Sequence, residues 1–176
     1  MKTNSSGRAR KAIQIVLAAG MAIGASQQAL AGNIFLNIPG IPGESTDDKH
    51  KDQIEIESFS QSVDKGGDCS LYFTKRVDKA TPLLAEAASG RAKPIPTATL
   101  VVRRMNYKEQ SEDYIKLTMS SVTVLSSDIS LSDESAYEGF SVNARSILIG
   151  LKPQTQDGKL GTEVTRTILC GTGGRL

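Results

Sequence analysis

Glu44, Asp47, Asp48 and His50 fall within eight residues, Gly43–His50 (GESTDDKH), beside Ser45 and Thr46. Three carboxylates at this density could hold Ca²⁺, a hard cation that takes oxygen ligands. The stretch lacks the D-x-[DN]-x-[DN]-G-x₅-E order of a calcium loop. His50 is the chain's only histidine, so a site built on paired His ligands is excluded. Cysteine–histidine chemistry would have to use Cys69 or Cys170, and neither lies in C-x-x-C spacing. A nucleophile and base without a third orienting group make a weak constellation. G-x-S-x-G, G-x-x-x-x-G-K-[ST] and G-x-G-x-x-G are all missing. The residues therefore predict no catalytic site, no cofactor and no metal. The plainer reading of GESTDDKH is a polar turn, in which Asp, Ser and Thr cap backbone groups between two strands.

The elements around that turn are strands. Ile34–Ile38 (IFLNI) is short and closed by Pro39-Gly40. Gln53–Ser58 alternates Ile54 and Ile56 against Glu55 and Glu57. Phe59 breaks that phase, which predicts either a bulge or a second face that meets a partner. Cys69–Val77 places Cys69, Leu71, Phe73 and Val77 on one side. Ala98–Arg104, Tyr114–Leu125, Gly139–Leu151 and Glu163–Cys170 continue the period-2 pattern. Phase shifts near Ser120–Ser121 and Arg145–Ser146 suit long, bent strands of a barrel. One helix is expected at about 81–89, with Thr81 as N-cap, Pro82 in its first turn and Gly90 as its stop. Loops are expected at Gln61–Asp68, Arg91–Pro96, Asn106–Asp113, Ser126–Ser135 and Pro153–Gly161. The fold class is thus mainly β: a compact barrel of two packed sheets with one flanking α-helix.

Lys2, Arg8, Arg10 and Lys11 precede the apolar run Ala12–Ala25, and Ala29-Leu30-Ala31 follows it. That order predicts a signal peptide over residues 1–31, cut between Ala31 and Gly32. The run is short for a bilayer span, and no Arg-Arg pair precedes it, which favours the general secretion route. The remaining 145 residues, 32–176, are the size of one domain. The whole chain carries 21 basic and 19 acidic residues, but four of the basic ones sit in the leader. Residues 32–176 therefore hold 17 basic against 19 acidic side chains, a net charge of −2. That balance gives no basic stripe for nucleic acid and none for an anionic membrane. The expected location is periplasmic or secreted, where a disulfide can persist. Cys69 shares parity with Leu71 and Phe73, and Cys170 with Val164 and Ile168. Both sulfurs then point to one interior, which predicts a Cys69–Cys170 bridge closing a loop of about 100 residues.

The run Asn37–Ser60 (NIPGIPGESTDDKHKDQIEIESFS) resembles the N-terminal block of the Hcp (haemolysin-coregulated protein) family of type VI secretion systems. That block has a G-E-S-x-D-x-x-H turn followed by an I-E-[IV]-x-S-[FW]-S strand. Phe73–Gly90 (FTKRVDKATPLLAEAASG) is similar to the family's F-x-K-x-x-D-K-x-[ST]-P segment. Ala98–Arg103 with Tyr114–Ser121 forms a weaker third match, and the resemblance covers roughly residues 34–130.

The resemblance implies a compact barrel and a non-enzymatic secreted structural protein. It implies self-association into a homo-oligomer, a hexameric ring that stacks into a tube, and contact with secretion-machine components or effector proteins carried in the lumen. Gly43, Glu44, Ser45, Asp47 and His50 would then be a family turn and a subunit contact. Three features depart from the family pattern: the cleavable leader, a loop at Gln61–Asp68 shorter than the family's Gly-rich one, and the cysteine pair. They support the alternative of a diverged periplasmic or extracellular binding module that forms no tubes.

Overall fold

In the computed structural model, residues 33–105, 110–133 and 135–171 are described. Ala31, Gly32 and the rest of the expected leader lie outside them. The described residues form nine strands: β1 (Ile34–Asn37), β2 (Ile54–Glu55), β3 (Ser58–Val63), β4 (Cys69–Arg76), β5 (Ile95–Met105), β6 (Ser111–Leu131), β7 (Ala136–Asn143), β8 (Ser146–Leu151) and β9 (Val164–Leu169). Helix α1 (Thr81–Glu86) follows β4 and ends in a wider π-helical turn, Ala87–Arg91. All pairings between these strands are antiparallel, and the main path runs β2-β1-β5-β6-β7-β4-β3. β8 pairs with β6 on one side and β9 on the other.

β6 makes the sheet close on a core. Its 21 residues would run roughly 70 Å if straight, far longer than a domain of this size is wide. It bends instead. Its first half pairs with β5 and β8, and its second half pairs with β7. The bend carries Ser121 at φ 50° and a register shift between Val124 and Ser126. β7 and β8 form the matching bent arm, broken at Ala144–Arg145, where the Arg145 N–H donates to the Ser120 carbonyl. The chain makes a second corner at Ile56–Glu57. The Ile56 N–H donates to Ile34 O, and the next N–H, of Glu57, donates to Thr74 O. The expected single strand Gln53–Ser58 is therefore two short pieces in different parts of the sheet, and the Phe59 phase break is this change of partner.

One core results. Leu36, Ile54, Leu100, Leu117, Met119 and Ile147 from one half meet Leu71, Phe73, Phe140 and Val142 from the other. Phe73 stacks on Phe140 at 4.9 Å between centroids, with Phe59 on its other side at 6.4 Å. Each fully buried large apolar side chain contributes roughly 1.5–3 kcal/mol. Leu84, with no exposed surface, and Leu83 fasten α1 and its extension to this core. Gly90, at φ 76°, ends the helical stretch as expected. Thr81 is not its N-cap: that position is Ala80, without a side-chain cap bond. The Thr81 hydroxyl is used elsewhere, as described below.

The expected loops Asn106–Asp113 and Ser126–Ser135 shrink, because β6 runs into both. Gln61–Asp68 shrinks likewise, with β3 continuing to Val63. The polar residues of these ends are partly spent on bonds to other strands, Ser111 and Asp113 to Arg103 and Ser127 to Glu138, so they carry no simple alternation.

Candidate functional site

Residues 43–53 form a flap rather than a simple reversal. β1 has two buried faces. Leu36 points into the core with its register partner Leu100, while Phe35 shares the opposite face with its partner Val101. The flap lies on that outer face. His50 stacks on Phe35 with ring centroids 4.4 Å apart and planes 12° from parallel. His50 is buried, and so is Ser45.

Backbone bonds fix the shape of the flap. Gly43 N–H donates to Asp52 O, Ser45 N–H to Gln53 O, and Asp52 N–H back to Ser45 O. Gly43 is required by space, since a Cβ there would sit 2.3 Å from Gln53 O. Asp52 turns the chain at φ 57°, a left-handed conformation that Asp tolerates better than most residues. Asp47 Oδ1 accepts the N–H groups of Lys49 (2.9 Å) and His50 (3.2 Å).

Arg103 at the end of β5 clamps the flap to the sheet. Its Nη1 donates to Asp47 Oδ2, its Nη2 donates to Ser111 O at 2.7 Å, and its Nε lies 3.4 Å from Asp113 Oδ1. His50 Nε2 is 3.2 Å from the same Asp113 oxygen. A carboxylate only accepts, so Nε2 carries the hydrogen there. Burial works to raise the Asp47 carboxyl. The Lys49 N–H, the Arg103 guanidinium and the His50 N–H outweigh it and hold the group below the ordinary carboxylate range. The cluster contains no free nucleophile and no open cation cage. Among the described residues, no group of three or more His, Cys, Asp or Glu side chains could hold a metal ion.

A second polar cluster lies beneath α1. Lys75 occupies the inward parity of β4 after Leu71 and Phe73 and has no exposed surface. Its ammonium meets Asp78 Oδ1 (2.6 Å), Glu138 Oε2 (2.8 Å), Arg76 O (2.9 Å) and Thr81 Oγ1 (3.0 Å). Glu138 is its register partner on β7 and is equally buried. Thr81 donates to Glu138 Oε2 and Ser127 to Glu138 Oε1. Sequence reading put Val77 on this face and passed over Lys75. Val77 is in fact 38% exposed at the strand end. The missed signal was parity: Lys75 shares it with Cys69, Leu71 and Phe73, all buried.

The flap and this cluster touch. Lys79 N–H donates to Glu44 Oε1 at 3.0 Å, and Lys79 Nζ reaches Asp52 Oδ1 at 3.2 Å. Two stretches 35 residues apart in sequence thus interlock through Glu44.

The cysteines form a bridge, with Cα atoms 5.4 Å apart. It lies where β4 and β9 meet end to end. Ser70 pairs with Asn143 on β7, Leu169 pairs with Ser146 on β8, and Cys170 N–H donates to Arg145 O between them. Both strands run antiparallel to the β7–β8 arm, so the disulfide joins them into one composite strand.

Comparison with known proteins now places this architecture. A family model described as "Type VI secretion system effector, Hcp" matches residues 35–149. The chain belongs to the Hcp family. It is 28% identical to Protein hcp1 of Pseudomonas aeruginosa over 145 residues, which cover 73% of this chain and 88% of that one. It is similar to the crystal structure of Hcp1 from Salmonella typhimurium, with a TM-score of 0.67 and 29% identity over 76% of this chain and 91% of that one. Hcp2 from the same organism gives a TM-score of 0.61 at 29% identity, over 76% and 92% of the two chains.

Within this Hcp fold, the two sequence blocks are the two polar clusters. The residues expected as the family turn divide by direction. Gly43, Ser45 and His50 face inward and Asp47 is half-buried, while Pro42, Glu44, Thr46, Asp48 and Lys49 face out.

Proposed function

We propose that this chain is a non-enzymatic, secreted structural protein of a type VI secretion system, a ring-forming tube subunit that can carry effectors. The observation that carries this reading is the interlock of the two family blocks through Glu44 and Lys79 on an Hcp fold. Glu44 and Asp52 bond Lys79, Asp47 bonds Arg103, His50 bonds Asp113 and Lys75 bonds Glu138, which ties the two blocks to each other and to the barrel. In this reading the subunit contact is made by the outward row Pro42, Glu44 and Thr46 rather than by His50. Residues 1–31 are removed after Ala31, and residues 32–176 are the working domain in the periplasm or outside the cell.

A second reading, an exported Hcp-like binding module that forms no tube, is favoured by the disulfide and by the short turn between β3 and β4. Light scattering on residues 32–176 under non-reducing conditions separates the two. A ring interface buries more than roughly 1,000 Å² per contact, so the ring should survive purification. A mass near six subunits supports the ring. A monomer at all concentrations overturns it in favour of the binding module.

A further inference from the structure

β9, like β3 at the other end of the sheet, is an edge strand held by a single neighbour, but only β9 is also tied down by a covalent bond at its end. Its six residues pair only with β8, and no strand covers its far edge among the described residues. Its side chains add little: Val164 is 52% and Leu169 80% exposed, and Ile168 is the one apolar residue of the strand packed against the core. At its C-terminal end the anchorage becomes dense. Cys170 is bonded to Cys69, Cys170 N–H donates to Arg145 O, and Gly171 N–H donates to Gly67 O at 2.6 Å. β4, on the other side of the bridge, needs no such help. It has β3 on one flank and β7 on the other, and Leu71 and Phe73 in the core.

We propose that the Cys69–Cys170 disulfide is a redox latch on β9: oxidised, it keeps β9 on the sheet, and reduced, it lets β9 leave while the rest of the barrel stays folded. The step is thiol–disulfide exchange with a dithiol reductant. One thiolate attacks a bridge sulfur to give a mixed disulfide, and the second thiol of the reductant resolves it. Two electrons and two protons end on Cys69 and Cys170, and the reductant leaves as its own disulfide. Both cysteines are buried, so attack needs the end of β9 to fray, and fraying and reduction favour one another.

Departure of β9 uncovers β8, Ser146–Leu151 (SILIGL). It is an uncharged, largely apolar strand with no Pro or Lys to guard its edge. The redox state thus decides whether a pairing-competent edge is covered. In a thiol-rich compartment the edge is bare, and in an oxidising one it is sealed.

Hydrogen exchange read by mass spectrometry tests this on residues 32–176, oxidised and after dithiothreitol, with reduction confirmed by labelling two thiols per chain without denaturant. The expected result is that amides of β9 and the β9-facing amides of β8 lose protection at least tenfold on reduction, while β5 and the first half of β6 keep theirs. The double variant Cys69→Ser/Cys170→Ser should match the reduced protein. Should that variant fail to fold, the native chain reduced in place carries the test. Unchanged protection of β9 in the reduced chain overturns the latch. So does loss of protection spread evenly over all strands, and so does a bridge that dithiothreitol opens only under denaturant.

Discussion

Lys75 and Glu138 face each other with no exposed side-chain surface, whereas Arg103 reaches Asp47 and Asp113 at a rim where those carboxylates are 20% and 42% exposed. Both clusters fasten a family block to the barrel, and both use one cation against two carboxylates. They differ in what water can do if the arrangement fails. At the rim, solvent takes over part of an abandoned charge. Beneath α1 it cannot, so an unpaired carboxylate there bears its full desolvation cost. Four oxygens compete for the three N–H bonds of Lys75, and its partners bond each other through Thr81. The inner cluster is therefore a lock whose parts must be removed together, and the rim cluster is one whose parts can be removed singly.

The largest effect should come from Lys75→Met. It leaves Glu138 and Asp78 without their cation and should cost about 3–5 kcal/mol in urea unfolding. Adding Glu138→Leu should restore most of that loss, since a buried pair replaced on both sides by apolar groups is close to neutral. A single variant costing less than about 1 kcal/mol, or a double variant no better than the single one, would break the distinction between the two clusters.

Arg103→Ala should cost less, about 1.5–3 kcal/mol, the range for hydrogen bonds to charged groups. The rim cluster should also show itself in acid. Asp47 is held below its ordinary value of 3.8 in the folded chain. Between the two values the unfolded chain binds more protons, so stability rises with pH through that window. The contribution is fully present above about pH 4 and is lost as pH falls through the lower, folded value. Unfolding free energies measured from pH 5 to 2.5 should fall more steeply for the native chain than for Asp47→Asn. Parallel curves would mean that the Lys49 N–H and the Arg103 guanidinium together do not bias the Asp47 proton.

The two clusters were also unequally legible in the sequence. The rim motif announced itself by composition, because GESTDDKH concentrates charge in a stretch bounded by strands. What composition could not give was its direction. That His50 lies flat on Phe35 follows from β1 being buried on both faces, and IFLN is too short to show it. Lys75 was passed over because a lysine among Leu71, Phe73 and Val77 reads as an outward residue, and its partner Glu138 lies 63 positions away on another strand. Period-2 alternation found the strands and the bends in them, but not the new partners beyond each bend. Its breaks at Phe59, Ser120–Ser121 and Arg145–Ser146 fall at or beside the corners, but a broken phase does not say which strand the chain pairs with next. The cysteine bridge was readable from the expected export together with parity, which Cys69 shares with Leu71 and Phe73, and Cys170 with Ile168. Val164, also on that parity, is exposed because β9 is an edge strand.

The smallest effect should come from Lys79→Ala, and it probes the join between the clusters. The Lys79 side chain reaches Asp52 across an exposed pair, 44% and 61% accessible, and such pairs contribute within about 0.5 kcal/mol. The bond that interlocks the blocks is a different one, donated by the Lys79 backbone N–H to Glu44, and it survives truncation of the side chain. Lys79→Ala should therefore be nearly silent in urea unfolding, and Glu44→Ala should cost more than Lys79→Ala although Glu44 too is exposed. The reverse order would place the join in the Lys79–Asp52 ion pair. The flap would then be tethered by a contact that salt screens, and raising ionic strength would loosen it in the native chain.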